Sequence, residues 1–197
     1  SAETNEEMQA IAQEISPLLS AHGNDIAMNA GLFAKVKAVF EQGFKGLTEE
    51  QKTLLEKSYK GFARNVANLN DADKEKLRKI DARKAQLSLT FGENVLKESN
   101  AFEMLLTNEA DLDGLPNGIR EAASAAYTSK KKAENKSDAD GSEKGWLFTL
   151  DYPSYIPFMT YSTRRDLREK MYKAFGSKGF KDNENNNEEI IKELVKL

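Results

Sequence analysis

Apolar residues recur every three or four positions through most of the first hundred residues, and this period constrains the fold more than any other feature. Such spacing places the side chains on one face of an α-helix. The longest stripe continues for about thirty residues and is interrupted only by Gly92. It comprises Leu77, Ile80, Leu87, Phe91, Val95 and Phe102. The pattern predicts one long helix from about Asp71 to Leu106, capped by Asn70 or Asp71.

Shorter stripes predict three helices before this one. Pro17 interrupts the first stripe, between Glu3 and Ala21, and predicts a bend or break there, followed by a turn at residues 22–25. The second stripe, residues 32–40, should end near residues 43–46, which hold two glycines. The third begins at a capping box, Thr48 with a glutamine three positions later. It comprises Leu55, Tyr59, Phe62, Val66 and Leu69.

The second half of the chain also contains helical patterns, separated by polar segments. The sequence predicts a turn at residues 111–114, which leads through Pro116 into an alanine-rich helix. The polar residues 129–144 predict an exposed loop. Thr163, three residues before an aspartate, can cap a further helix that Gly176 closes. The asparagine-rich residues 182–187 separate it from a last amphipathic segment at residues 188–197.

One segment has the two-residue period of a half-buried strand. Its alternate positions are Trp146, Phe148, Leu150 and Tyr152. Pro153 and Pro157 then predict an irregular connector over residues 154–161, because proline breaks both strands and helix interiors. The predicted fold class is therefore mostly α, multi-helix, with one long helix and a short β-strand or hairpin element near residues 146–152.

Charge and composition exclude several partners. The chain has 29 basic and 32 acidic residues, a net charge of -3, so nucleic acid is not an expected partner. No apolar run approaches the roughly 20 residues of a spanning helix, so no membrane association is expected. The absence of cysteine excludes disulfides and thiolate metal sites but leaves a cytoplasmic or periplasmic location open.

The residues needed for hydrolytic chemistry are missing from the sequence. A helical zinc site uses two histidines one turn apart together with a carboxylate, and this chain has one histidine, His22. Its neighbour Gly23 favours a surface turn. No G-x-S-x-G elbow, phosphate-binding loop or dinucleotide motif occurs. We therefore predict no catalytic residue and no metal ligand in this chain.

Two clusters allow a functional and a structural interpretation. The first, Lys130, Lys131, Lys132 and Lys136, suits a phosphate patch, but interleaved acidic residues favour a solvated loop. The second is aromatic and suits either a peptide groove or a core anchor, of which spacing favours the anchor. It comprises Trp146, Phe148, Tyr152, Tyr155, Phe158 and Tyr161.

Specific strings resemble the thimet oligopeptidase and peptidyl-dipeptidase family of zinc metallopeptidases. Residues 87–96 (LSLTFGENVL), continuing to Phe102, resemble the long N-domain helix of that family. Residues 112–116 (LDGLP) and 150–159 (LDYPSYIPFM) resemble its following turn and its strand-and-proline segment. The string ISPLL at residues 15–19, with KGF at 60–62 and Asn68-Leu69, favours the bacterial peptidyl-dipeptidase branch. The match extends over essentially all 197 residues.

The resemblance implies the N-terminal region of an enzyme that removes C-terminal dipeptides from short peptides. The family's zinc is held by an H-E-x-x-H helix and a later glutamate, and no position here matches them. The implied partners are short peptides and the missing catalytic domain. Residues 1–197 would form a single N-terminal helical domain that lines a deep channel, and the aromatic cluster would belong to the channel wall or its framework.

The main alternative is a free-standing helical module that binds a peptide or protein through the aromatic cluster. The last apolar pattern continues almost to Leu197 without a helix cap, and this favours a fragment of a longer protein.

Overall fold

A computed structural model describes residues 4–65, 69–133 and 144–197. The chain forms two compact units, which we call unit 1 (Ser1–Thr90 with Glu193–Leu197) and unit 2 (Phe91–Lys192). The α-helices in the described ranges are α1 (Glu6–Ala27), α2 (Ala30–Glu41), α3 (Glu49–Asn65), α4 (Asp71–Ala101), α5 (Asn117–Ala133), α6 (Tyr152–Tyr161), α7 (Arg165–Gly176) and α8 (Glu188–Lys196). The strands are β1 (Met104–Leu106) and β2 (Trp146–Phe148). The mostly α fold class is confirmed, including the long helix and the small strand element.

Helix α1 begins at Asn5, whose side chain accepts a hydrogen bond from the Met8 amide at 2.8 Å. The helix continues through Pro17 and through residues 22–25, so the predicted turn is wrong and no break occurs at Pro17, while the predicted bend stays a prediction. Proline removes a single amide donor, and α1 extends over 22 residues despite this loss. His22 therefore lies on the exposed surface of a helix rather than in a turn.

Helices α2 and α3 form a hairpin in unit 1. Gly43 and Gly46 follow α2 with φ of 80° and 81°, a backbone conformation that favours glycine. The predicted capping box is confirmed, since Thr48 N donates to Gln51 Oε1 (3.0 Å) and Gln51 N donates to Thr48 Oγ1 (3.3 Å). The Phe40 and Tyr59 rings stack with centroids 4.0 Å apart and join the two helices. Val66, predicted on the same stripe, lies outside the described residues.

Helix α4 ends five residues earlier than its apolar pattern predicts, at Ala101. Residues Met104–Leu106 form β1 instead and pair antiparallel with β2, with Met104 opposite Phe148. The strand exists because a partner some forty residues later supplies its hydrogen bonds, and local periodicity does not contain that information.

The predicted connector at residues 154–161 is also wrong, because residues Tyr152–Tyr161 form α6. Pro153 lies in the first turn, where its missing amide hydrogen has no intrahelical acceptor. The Tyr155 amide donates to the Asp151 carbonyl at 2.7 Å and closes that turn. Pro157 removes one further hydrogen bond, and the burial of Tyr155 and Phe158 offsets this cost.

The hydrophobic core lies in unit 2 and combines the strand pair with α5, α6 and α7. Its buried members are Met104, Leu106, Leu112, Leu115, Ala123, Phe148, Leu150, Tyr155, Phe158 and Met171. Phe158 and Met171 have no exposed surface. The alternation predicted for the strand holds only in part, because Leu147 is buried as well as Phe148.

The turns that join these helices use different contacts from those predicted. Thr163 does not cap α7, because its hydroxyl donates to the Asp113 carboxylate at 2.6 Å. A short 3₁₀ helix at Glu109–Leu112 precedes the turn at Gly114.

The prediction of a single domain over residues 1–197 stays a prediction. In the described ranges, none of the helices is both long and apolar enough to cross a bilayer.

Candidate functional site

The aromatic cluster, our candidate site, lies on β2 and α6. Phe148 and Phe158 form its buried part, with ring centroids 4.7 Å apart in an edge-to-face arrangement. The β2 strand points Phe148 toward α6, and Phe158 lies six residues after the start of that helix. This geometry is typical of stable aromatic packing in a core. The structural interpretation of the cluster therefore applies to these two residues.

Phe175 of α7 extends the cluster beyond the residues selected from the sequence. Tyr155 stacks on it at 4.2 Å with a 15° interplanar angle, and Tyr152 meets it edge-on at 6.1 Å. The Lys178 ammonium lies 3.6 Å from the Phe175 ring centroid, a cation–π contact. Burial raises the pKa of Tyr155, with a smaller contribution from Tyr172. Burial also lowers the pKa of Lys178, and Asp151 acts in the opposite direction.

The remaining cluster members reach the surface. Tyr152 is 68% exposed and Tyr161 is 52% exposed. Trp146 is half-buried and lines a polar cavity of about 390 Å³ beside Arg120 and Lys144. The six predicted residues are thus divided into a buried group and a surface group, and only the surface group is available to a ligand.

A groove next to the cluster lies between α5 and the β2–α6 segment, with a volume of about 260 Å³. Its walls include Ile119, Ala122 and Ala126 on one side and Leu147 and Pro153 on the other. Small alanine side chains on α5 leave this space open. The groove is large enough for one or two side chains of a bound peptide.

The turn that contains Gly114 contacts the segment between α6 and α7 and positions both helices. We call this contact the clamp, and the sequence pattern does not predict it. Gly114 has φ of 82°, and a Cβ there would lie 2.2 Å from the Tyr161 carbonyl oxygen. The Thr163 amide donates to the Asp113 carbonyl at 3.0 Å. The string LDGLP was a usable signal, but the close approach of Tyr161 depends on the tertiary structure.

Arg164 adds an ion-pair network to this clamp. Its Nε and Nη2 donate to the two Asp166 carboxylate oxygens at 3.1 and 2.8 Å, and its Nη1 contacts Asp111. The hydrogen bond from Arg164 is the main reason that the pKa of Asp166 is lowered. The network is partly exposed, so we interpret it as positioning rather than as a ligand site.

A second polar cluster missed from the sequence surrounds Glu98 on α4. The Glu98 carboxylate is buried and accepts hydrogen bonds from the side-chain amides of Asn183 and Asn185. The Lys181 ammonium contacts Oε2, which has no other donor among the described residues. Contact with Lys181 lowers the pKa of Glu98, and burial opposes this shift.

Asn187 completes the attachment of this asparagine-rich segment to α4. It is fully buried and accepts a hydrogen bond from Asn94 Nδ2 at 2.9 Å, while its own Nδ2 donates to the Phe91 carbonyl at 3.3 Å. The sequence interpretation treated residues 182–187 as a polar separator. Their composition indicated a loop correctly but contained no signal of burial.

Three residues of the predicted lysine cluster, Lys130, Lys131 and Lys132, lie in the last turn of α5, so the predicted loop is wrong for residues 129–133. Lys130 contacts the Glu103 carboxylate, and the Lys131 ammonium lies 5.2 Å from the Tyr127 ring centroid. Lys136 lies outside the described residues. These contacts agree with a solvated, locally paired surface better than with a phosphate patch.

The zinc that the resemblance implies does not fit the residues of this chain. Among residues 4–65, 69–133 and 144–197, histidine, aspartate and glutamate side chains form no group of three able to hold a metal ion. His22, the single histidine of the sequence, is exposed on α1. We therefore derive no chemical step through a metal from these residues.

Comparison with known proteins shows similarity along the whole chain. The chain matches the N-terminal region of thimet-like peptidases over its whole length. It is 31% identical over its full length to oligopeptidase A of Haemophilus influenzae and 29% identical to dipeptidyl carboxypeptidase of Escherichia coli. It is 30% identical over 97% of its length to the probable cytosolic oligopeptidase A of Arabidopsis thaliana. No protein-family model matches the chain.

The chain spans about 28% of the length of these relatives. The family resemblance found in the sequence is thereby confirmed. The oligopeptidase A and dipeptidyl carboxypeptidase relatives match the chain at similar identity.

Proposed function

We propose that this chain is a non-catalytic, channel-wall part of the N-terminal lobe of a zinc-dependent oligopeptidase that acts on short peptides. One observation carries the proposal: a chain similar to peptidases along its entire length contains a single histidine. A hydrolytic zinc needs about three protein ligands and an open position for water. The metal and the catalytic glutamate would therefore be supplied by polypeptide outside these 197 residues.

The branch of the family is part of the same proposal. The strings ISPLL and KGF favour an enzyme that removes C-terminal dipeptides, and relatives named dipeptidyl carboxypeptidase match the chain in full. The proposed partners are short peptides and the catalytic domain.

The division of the aromatic cluster supports a wall in which framework and surface are distinct. Phe148, Tyr155 and Phe158 are buried and would hold β2 and α6 in place. Tyr152 and Tyr161 are exposed and would face the channel or the catalytic domain. Trp146 packs against the buried core and also lines the cavity beside Arg120, so its fluorescence should respond to changes in both groups.

The proposal is tested by incubating the purified chain with zinc and a short peptide that has a free C-terminus. We expect no product above background by mass spectrometry. A His22→Ala variant is the matched control, because it removes the single imidazole from an exposed position. Turnover that stops on chelation and is lost in the His22→Ala variant would show that the chain is itself catalytic.

A free-standing peptide-binding module is the second candidate, and the groove between α5 and the β2–α6 segment favours it. Binding of a short apolar peptide to the isolated chain should then change the fluorescence of Trp146, the single tryptophan. An Ala122→Leu variant would fill the groove and should abolish the change. A signal that survives the substitution would place binding elsewhere.

A further inference from the structure

Helix α1 exposes its apolar face, whereas an ordinary surface helix buries it. Its large aliphatic side chains recur at spacings of three and four and so lie on one face of the helix. They are exposed by 42–65%, and they are Met8, Ile11, Ile15, Leu18, Leu19 and Ile26. We call these residues the α1 face. A surface helix normally buries such a stripe against the core.

The opposite side of α1 is half-buried although its residues are small or polar. These residues are Gln9, Ala12, Gln13, Ser16 and Ser20. Asn24, on the same side, is buried. The helix therefore packs through its polar side and leaves its apolar side uncovered by the described part of the chain. Burying the α1 face on a partner would be favourable, at about 25 cal/mol per Å² of apolar surface.

The charge of α1 specifies the partner's chemistry. Glu7 and Glu14 are seven residues apart, so they follow one edge of the α1 face, whereas Asp25 already pairs with Arg78. The helix contains no lysine or arginine. A second copy of α1 would offer these acidic side chains no cation, and an acidic helix is not suited to an anionic lipid surface.

A groove at the C-terminal end of the α1 face gives the surface further depth. It has a volume of about 290 Å³ and is lined by Gly23, Ile26, Ala27, Ser58, Gly61 and Phe62. A Cβ at either glycine would meet nothing within 4 Å, so the space is open. A large apolar side chain of a partner helix fits this groove.

We propose that the α1 face docks on an apolar helical surface edged by lysine or arginine, supplied by the remaining polypeptide of the longer peptidase. The inference rests on the proposed function, because the relatives extend well beyond the 28% of their length that the chain spans. The exposed aliphatic stripe of the α1 face matches the apolar stripe of a partner helix. The acidic edge of the face favours lysine or arginine beside that stripe. Docking would bury the side of α1 that water now contacts.

The test measures binding of two fluorescent helical peptides to the purified 197-residue chain by anisotropy. One peptide consists of leucine and lysine in amphipathic spacing, and the other replaces lysine with glutamate. We expect the leucine–lysine peptide to bind, and an Ile11→Ser/Leu18→Ser variant to bind it at least about tenfold more weakly, because two buried aliphatic contacts are lost. A Leu105→Ser/Ile156→Ser variant is the matched control, since these two aliphatic side chains are 50% and 48% exposed and belong to unit 2.

Three results would overturn the inference. Equal affinity for both peptides would show that the acidic edge does not select the partner. An unchanged affinity in the Ile11→Ser/Leu18→Ser variant would show that the α1 face is not the binding surface. Sedimentation that shows self-association dependent on Leu18 would assign the face to a second copy. Circular dichroism of each variant checks that α1 remains helical. None of these results depends on the peptidase assay, so the two proposals fail separately.

Discussion

The two units of this chain achieve order in different ways. Unit 2 holds every described side chain that is less than 2% exposed, namely Phe148, Phe158, Met104, Leu112, Met171 and Asn187. Among the described residues of unit 1, only Asn24, Met28 and Leu87 are buried. Unit 1 depends instead on ring stacking between α2 and α3 and on surface ion pairs such as Arg83–Glu193. Because exposed ion pairs contribute little, unit 2 should be the more stable part of the chain.

The largest effect expected from this difference is in the core of unit 2. Phe158→Ala should lower the free energy of unfolding by about 3–5 kcal/mol, because it leaves a cavity where a fully buried ring packs on Phe148. Urea unfolding followed by Trp146 fluorescence measures it. Phe180→Ala is the control, since Phe180 is 52% exposed. A similar loss in both variants would contradict the location of the core.

The second largest loss of stability is expected at the turn that contains Gly114. Gly114→Ala should cost about 2–3 kcal/mol, because alanine disfavours a positive φ and its Cβ would overlap the Tyr161 carbonyl. Gly118→Ala is matched to it, as a Cβ there meets nothing within 4 Å. We expect the Gly118 variant to melt at or above the wild-type temperature, and an equal loss in both variants would argue against the clamp.

The stacked rings of unit 1 test whether the units lose structure separately. Phe40→Ala should destabilise the α2–α3 hairpin by about 2 kcal/mol, less than a core phenylalanine because Phe40 is only half-buried. Helical circular dichroism should then decrease at a lower temperature while the Trp146 transition stays in place. Coincident shifts in both signals would show that the units unfold together.

The Glu98 cluster predicts an acid-dependent loss of stability in unit 2. The pKa of Glu98 is lowered from 4.5 in the folded chain, so the unfolded chain binds its proton first as the pH falls. The stabilisation is complete above about pH 5 and is lost as the pH decreases through the folded pKa. Glu98→Gln should lower stability at pH 7 by about 1.5 kcal/mol and flatten this dependence. Glu184→Gln, at an exposed position, should leave the profile unchanged.

The smallest effect concerns the capping box of α3. Thr48→Ala removes the acceptor for the Gln51 amide and should cost about 1 kcal/mol. The change should appear in helical circular dichroism and leave Trp146 fluorescence unaffected. Thr53→Ala is a control within the same helix, because the Thr53 hydroxyl only donates to the Glu49 carbonyl.

Local patterns in the sequence determined most of the helical framework. The glycines at 43 and 46 predicted the end of α2 correctly, and the capping box at Thr48 predicted the start of α3 correctly. These features act over a few residues, since a cap or a positive φ depends on its immediate neighbours. The strings LDGLP and LDYPSYIPFM likewise carry the family resemblance within a few consecutive residues.

Tertiary contacts decided the elements that the patterns missed. Met104–Leu106 became a strand because β2 pairs with it, and residues 152–161 became a helix because Tyr155 and Phe158 are buried. Asn187 is buried because Asn94 and the Phe91 carbonyl satisfy its amide. The partner of β1 lies roughly forty residues away in the sequence, and the partners of Asn187 lie more than ninety residues away. Sequence spacing carries no information about contacts at such separations. The sequence by itself determined which family the chain resembles and where most helices lie. Only the folded structure decided which aromatic side chains form the core and which remain at the surface.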